Sequence, residues 1–155
     1  MAVERLFDSD PQIRINGYNF LKDQITTSTS SMTSIPRPLK FLRTLYQEIK
    51  EKYEKWEEKT NEDKNFKLML CDLLSVLVMV IMNVEENSLY YVLKGSKTNI
   101  TEWGQEYIRS LCGDIANEYN KRLYNNDNID ELYNLAQNII PYLIQHIAKM
   151  TLLIY

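Results

Sequence analysis

From Leu39 onward the apolar side chains recur at Leu42, Tyr46, Ile49, Tyr53 and Trp56, in steps of three and four that place all six on one side of an α-helix. A strand cannot present that pattern as one face, because its side chains alternate every second residue. A stripe this narrow is either a coiled-coil seam or one contact line of a helical hairpin. The next segment favours the hairpin. After a short polar break at residues 61–64, a helix is predicted over 65–82 with Phe66, Leu70, Leu73, Leu74, Leu77, Val78 and Ile81 on most of its sides. Such a helix needs neighbours all round, so it is expected at the centre of the fold. Asp72 and Ser75 form its one polar stripe. No second acid, histidine or nucleophile accompanies Asp72, so a structural pairing with Lys, Arg or a backbone N–H is expected rather than catalysis.

The remaining segments follow the same pattern. Four glycines and four prolines in 155 residues are too few for a turn-rich all-β fold. Asp10-Pro11 signals a helix start, and the helix is predicted to run to about Ile25, weakened by Gly17. The hydroxyl-rich residues 26–34, followed by Pro36 and Pro38, read as a connection over 26–38. Asn87 or Ser88 caps a short helix over 89–93, with Gly95 expected in the left-handed conformation at its end. Asn99 and Glu102 resemble a capping box opening a long helix through Tyr119. Gly104 and Gly113 inside that helix point to close approach of another helix. Asn128 and Glu131 open a last helix that Pro141 should kink or end. The apolar tail, residues 148–155, looks cut from something longer. The expected fold is all-α: about five or six helices in antiparallel hairpins, solenoid-like, forming one helical domain over residues 1–155. No residue-level period is found, so the solenoid reading rests on hairpin architecture alone.

Charge and composition exclude several functions. Eighteen basic against 21 acidic residues give a net charge of −3, without the basic excess that phosphate neutralisation requires. Nucleic acid is therefore not an expected partner. The aromatic residues fall mostly at helical contact spacing, which suits packing better than base stacking. No membrane partner is expected either: the strongest apolar stretch, residues 68–82, is interrupted by Asp72 and Ser75 and is shorter than the roughly 20 residues a span needs. The N-terminus lacks a signal-peptide pattern. Cys71 and Cys112 lie in apolar helical segments as small hydrophobes, which fits a reducing compartment. His146, the single histidine, has no companion at metal-ligand spacing, and residues 95–98 (GSKT) lack the spacing of a phosphate loop. No catalytic residue, cofactor or metal is expected, and the chain does not read as an enzyme.

Several segments carry a resemblance. Residues 31–43 (SMTSIPRPLKFLR), 72–79 (DLLSVLVM), 89–96 (LYYVLKGS) and 103–119 (WGQEYIRSLCGDIANEY) resemble, in order and spacing, the N-terminal region of the 26S proteasome non-ATPase regulatory subunit 2 family. The similarity covers about residues 3–142. Thr44 stands where the family is expected to have proline, and after Pro141-Tyr142 an apolar run replaces a polar, acidic stretch. The resemblance implies a non-enzymatic scaffold of the regulatory-particle base, docked beside the ATPase ring, in cytoplasm and nucleus. Its implied partners are the other regulatory-particle subunits, especially the ATPases. The family's later helical repeats, which bind ubiquitin, shuttle proteins and a deubiquitinase, are not in this sequence, so those activities do not carry over. Arg37, Lys40 and Arg43 share one side of a helix start and are the candidate contacts for acidic partner residues, at about 0–1 kcal/mol each. A free-standing helical adaptor unrelated to proteasomes is the alternative, and an enzyme the third reading.

Overall fold

The computed structural model describes residues 2–30, 39–81 and 86–154, and among the described residues the regular structure is helical throughout. Seven α-helices follow one another there: α1 (Ala2–Leu6), α2 (Pro11–Ser30), α3 (Leu39–Glu54), α4 (Asn61–Ile81), α5 (Ser88–Lys94), α6 (Gln105–Asn125) and α7 (Asp130–Ile154). A 3₁₀ turn, Ile100–Trp103, precedes α6. This is the all-α, hairpin-built architecture expected from the spacing of apolar residues. Contacts gather the chain into two compact units, Met1–Ser96 and Lys97–Tyr155.

In the first unit α4 is the central helix, as its all-round apolar pattern requires. Leu70, Leu73, Leu74, Val76 and Leu77 are fully buried between α3, which contributes Leu42, Leu45, Tyr46 and Ile49, and α5, which contributes Leu89, Tyr91 and Val92. Each such side chain contributes about 1.5–3 kcal/mol on burial. The helix begins four residues before the predicted Asn65. The Asp63 N–H donates to Thr60 Oγ1 at 3.1 Å, while the Asp63 carboxylate accepts from the N–H groups of Thr60 at 3.1 Å and Lys59 at 3.2 Å. That is a capping box with Asp in place of Glu, which the polar break concealed. Trp56, the expected last member of the α3 stripe, lies beyond the helix in the loop, where its indole N–H donates to the Asp63 carbonyl at 3.1 Å.

The N-terminal helices are joined by two features. Gly17 weakens α2 as an isolated helix, but a Cβ there would stand 3.0 Å from the Leu6 N and 3.1 Å from the Arg5 carbonyl carbon, so the glycine lets α1 lie directly on α2. Arg14 is 6% exposed, and its guanidinium sits 5.3 Å from the centroid of the Phe66 ring and 5.4 Å from that of Trp56. It donates to the carbonyls of Asp8 (3.0 Å) and Ser9 (3.1 Å) and lies 3.8 Å from the Asp63 carboxylate. Aromatic faces and oxygen acceptors together offset the cost of burying this cation, although its Nε makes no hydrogen bond. Residues 26–30, expected in the connection, instead complete α2. Thr26 Oγ1 bonds back to the Lys22 carbonyl at 2.7 Å, so its hydroxyl accommodates the helix instead of competing with it.

Two polar clusters fasten α5. Asp72 accepts hydrogen bonds from the Ser96 N–H (3.1 Å) and the Ser96 hydroxyl (2.5 Å), the structural pairing expected of it. Burial raises the Asp72 carboxyl above its ordinary 3.8, and the Ser96 bonds pull the other way. Gly95 is not left-handed: its φ is −86° and its ψ −168°, extended backbone open to any residue. Glycine suits the position because a Cβ there would push the Asp72 carboxylate aside. Asn87 caps α5 as expected, its side-chain oxygen accepting from the Tyr90 N–H at 3.0 Å. Beside it the Glu86 carboxylate accepts from the hydroxyls of Tyr46 (2.6 Å) and Tyr91 (2.5 Å) and from Lys50 Nζ (3.0 Å). Burial alone would raise Glu86, but the three hydrogen bonds outweigh it and leave the carboxyl below its ordinary 4.5.

The second unit departs most from expectation. Asn99 adopts the left-handed region (φ 53°) and its side chain makes no cap bond, so the anticipated capping box does not form. Instead the chain closes a 3₁₀ turn through Glu102 N–H to Asn99 O (3.1 Å) and Gly104 N–H to Thr101 O (3.3 Å). Gly104, at φ 98°, then breaks the backbone ahead of α6. Gly113 lies in α6 with open space beside it, not under a neighbouring helix. At the other end Asn126 (φ 57°) terminates α6, with Asp127 N–H on Arg122 O at 2.8 Å. Arg122 ties the hairpin by bonding Glu118 (3.0 Å), Glu131 (2.7 Å) and the Asn128 carbonyl (3.1 Å). The Asn128 side chain accepts from the Asp130 N–H at 2.7 Å just ahead of the helix, while Glu131, expected to close a capping box with it, bonds Arg122 instead. α7 then runs through Pro141 without ending. Pro141 and Gln137 are both exposed, so the carbonyl that loses its donor can be hydrated.

Two outcomes test these anchors. Gly95→Ala displaces the Asp72 carboxylate from Ser96 and leaves it buried without its bonds, so urea denaturation should show a loss of about 1–3 kcal/mol. Glu86 has its carboxyl lowered by folding, so its stabilisation is complete above pH 4.5 and is lost as the pH falls through the lower folded value. The gap in melting temperature between the parent chain and Glu86→Gln, followed by circular dichroism, should be widest near neutrality and shrink steadily below pH 4.5.

Candidate interaction surface

The chemistry-bearing side chains of the first unit are occupied by one another. Asp72 is held by Ser96, Glu86 by two tyrosines and a lysine, and burial raises the Cys71 thiol above its ordinary 9.0. Among the described residues no group of three or more His, Cys, Asp or Glu is placed to hold a metal ion, and no helix is long and apolar enough to cross a membrane. In the second unit His146 is half-buried on α7, its ring stacked on Tyr142 at 6.5 Å between centroids and 12° between planes.

Arg37 of the basic trio lies outside the described residues. Lys40 falls in the first turn of α3, and Arg43, one turn further, is exposed.

The larger feature lies along α6 and α7. Cys112, Ile115, Ala116 and Tyr119 on α6, at steps of three, one and three, face Ile139, Ile140 and Leu143 on α7 across a cavity of about 230 Å³. Only Ile139 among these is fully covered. The floor of the hairpin is closed by Leu111, Leu132, Leu135 and Ile139, and the groove above it stays open. Alongside the groove Tyr133, Ile140, Ile144 and Ile147 follow one another at seven, four and three residues, a second stripe on α7, with exposures of 61%, 47%, 61% and 63%. No Asp, Glu, Lys or Arg interrupts α7 between Glu131 and Lys149. The sequence shows the apolar faces of both helices, but their spacing alone does not tell a covered face from an open one.

Comparison with known proteins gives this geometry a context. A family model described as RPN1 N-terminal domain matches residues 1–152. The chain is 40% identical over 150 residues to the 26S proteasome non-ATPase regulatory subunit 2 homolog B of Arabidopsis thaliana. It is 38% identical over 149 residues to the 26S proteasome non-ATPase regulatory subunit 2 of Dictyostelium discoideum, and 37% over 150 to the 26S proteasome regulatory subunit rpn1 of Schizosaccharomyces pombe. Each match covers 96% of this chain and 16% of the relative, so the chain spans about one sixth of the length of the curated relatives it matches.

Proposed function

The chain belongs to the RPN1 N-terminal domain family, and from that premise we propose that it is a non-catalytic scaffold of the proteasome regulatory-particle base. In this reading its helices support assembly with the ATPase ring in ubiquitin-dependent protein degradation, in cytoplasm and nucleus. The observation that carries the reading is the match at 37–40% identity over 96% of the chain to proteins named as regulatory subunits of the proteasome. The geometry agrees in kind: buried polar groups serve as fasteners between helices, and the exposed features are an apolar groove and scattered charges, which suit docking. Arg43, with Arg37 and Lys40 beside it in the sequence, supplies positive charge for acidic partner residues. Exposed pairs of this sort are worth about 0–1 kcal/mol each, so they orient a contact that other surfaces must hold.

The test is to tag the chain in its own cells, recover it under mild conditions, and quantify co-purifying proteins by mass spectrometry. Proteasomal ATPases and other regulatory subunits should be enriched over an untagged control, and Arg43→Glu should lower that enrichment without abolishing it. Recovery of other proteins with no proteasome subunit would favour a free-standing adaptor and overturn the proposal.

A further inference from the structure

Tyr133, Ile140 and Ile147 recur on α7 at intervals of seven residues, which sets them on one side of the helix with Ile144 beside them, and all four are exposed. The stripe reads the same in both directions from Ile140. Tyr133 and Ile147 lie seven residues to either side and are almost equally exposed, while Ala136 and Ile144 lie four to either side, a small side chain matched with a large one. The flanks are balanced too. From Ile140 the helix is free of Asp, Glu, Lys and Arg as far as Leu132 in one direction and Ala148 in the other, both eight residues away, and the next residues out are Glu131 and Lys149, of opposite charge.

A pattern that repeats on reversal is what an isologous contact needs, because there one patch meets itself across a two-fold axis. An unrelated helix would not require it. Antiparallel pairing about Ile140 sets Tyr133 of each copy against Ile147 of the other and brings each Ile144 to the level of the small Ala136. It also sets the acidic first turn of one α7, Asp130 and Glu131, at the level of Lys149 on the other, with the two helix dipoles opposed. A parallel pair would set like charge at the level of like charge at both ends. We propose that the α7 stripe is a two-fold interface between copies of this chain, formed by two antiparallel α7 helices that cross at Ile140. Ala136 and Ile140 also line the α6–α7 groove, so a helix seated on the stripe borders that groove as well. The dimer goes beyond the scaffold reading and does not rest on it.

The test measures the mass of the 155-residue chain by light scattering from about 1 μM to about 1 mM, the range in which modest interfaces assemble. The mass should rise from one chain to two and level there. Ile140→Asp combined with Ile144→Asp, both at exposed positions and checked for unchanged helix content, should hold the chain at one copy over the same range. Asn138→Asp, exposed on the opposite side of α7, should dimerise as the parent does. Orientation is read with a bismaleimide of about 8–10 Å, the separation of packed helices, in a Cys112→Ala background that leaves only the buried Cys71. Ile140→Cys should link to itself. Tyr133→Cys and Ile147→Cys should link when mixed but not alone, because antiparallel copies hold like residues two heptads apart, about 21 Å along the axis. A mass of one chain across the whole range would overturn the proposal, as would growth past two copies. So would a dimer in which Ile140→Cys fails to link, or in which Tyr133→Cys links to itself as readily as to Ile147→Cys. None of these readouts involves ATPase recovery, so the two readings fail separately.

Discussion

The burial of α4 on nearly every side is the constraint on which the first unit depends. An apolar helix without a solvent face cannot exist alone, and each neighbour supplies a different part of its cover: the narrow stripe of α3, the short α5, and the loop that carries Trp56. α3 and α5 are amphipathic and contribute one face each. Hydrophobic burial is non-directional, so it says that these elements collapse on α4 without saying in which register.

Register comes from polar groups at the ends. Asp72 on Ser96 fixes where α5 stops, Glu86 on Tyr46 and Tyr91 joins the start of α5 to α3, and Arg14 clips the turn before α2 to the loop between α3 and α4. Each is buried enough that an unpaired partner would be costly, which makes alternative registers unfavourable. Such fastening suits a part whose role is to hold its shape for neighbours. The second unit is built differently. Its hairpin is tied at one end by Arg122 and closed along its floor by a row of leucines and Ile139, but its upper side is left without cover.

What could be read from the sequence followed the period of the apolar residues. The stripe through Leu42, Tyr46 and Ile49, the central position of α4 and the pairing of Asp72 were legible because helical spacing and the cost of a lone buried carboxylate leave few alternatives. The boundaries were less so. Asp63 closing a box where Glu is usual, and a threonine bonded back to its own helix, were local exchanges of hydrogen bonds that composition does not display. Gly95 and Gly104 were both noticed and both misread. One glycine answers to a carboxylate 23 residues earlier in the chain, which local sequence does not display, and the other to a positive φ at the end of a 3₁₀ turn. The groove was missed for the opposite reason: apolar residues at helical spacing look the same whether a neighbour covers them or not. Of the basic trio, Arg43 is exposed.

The proposed scaffold role makes this chain a fixed part within a large assembly, and density-gradient sedimentation of a native extract from its own cells, probed for the untagged chain, is the direct test. The chain should travel in the heavy fractions with regulatory-particle subunits and with ATP-dependent peptidase activity. Sedimentation at the size of the free chain, while those subunits remain in the heavy fractions, would contradict that role.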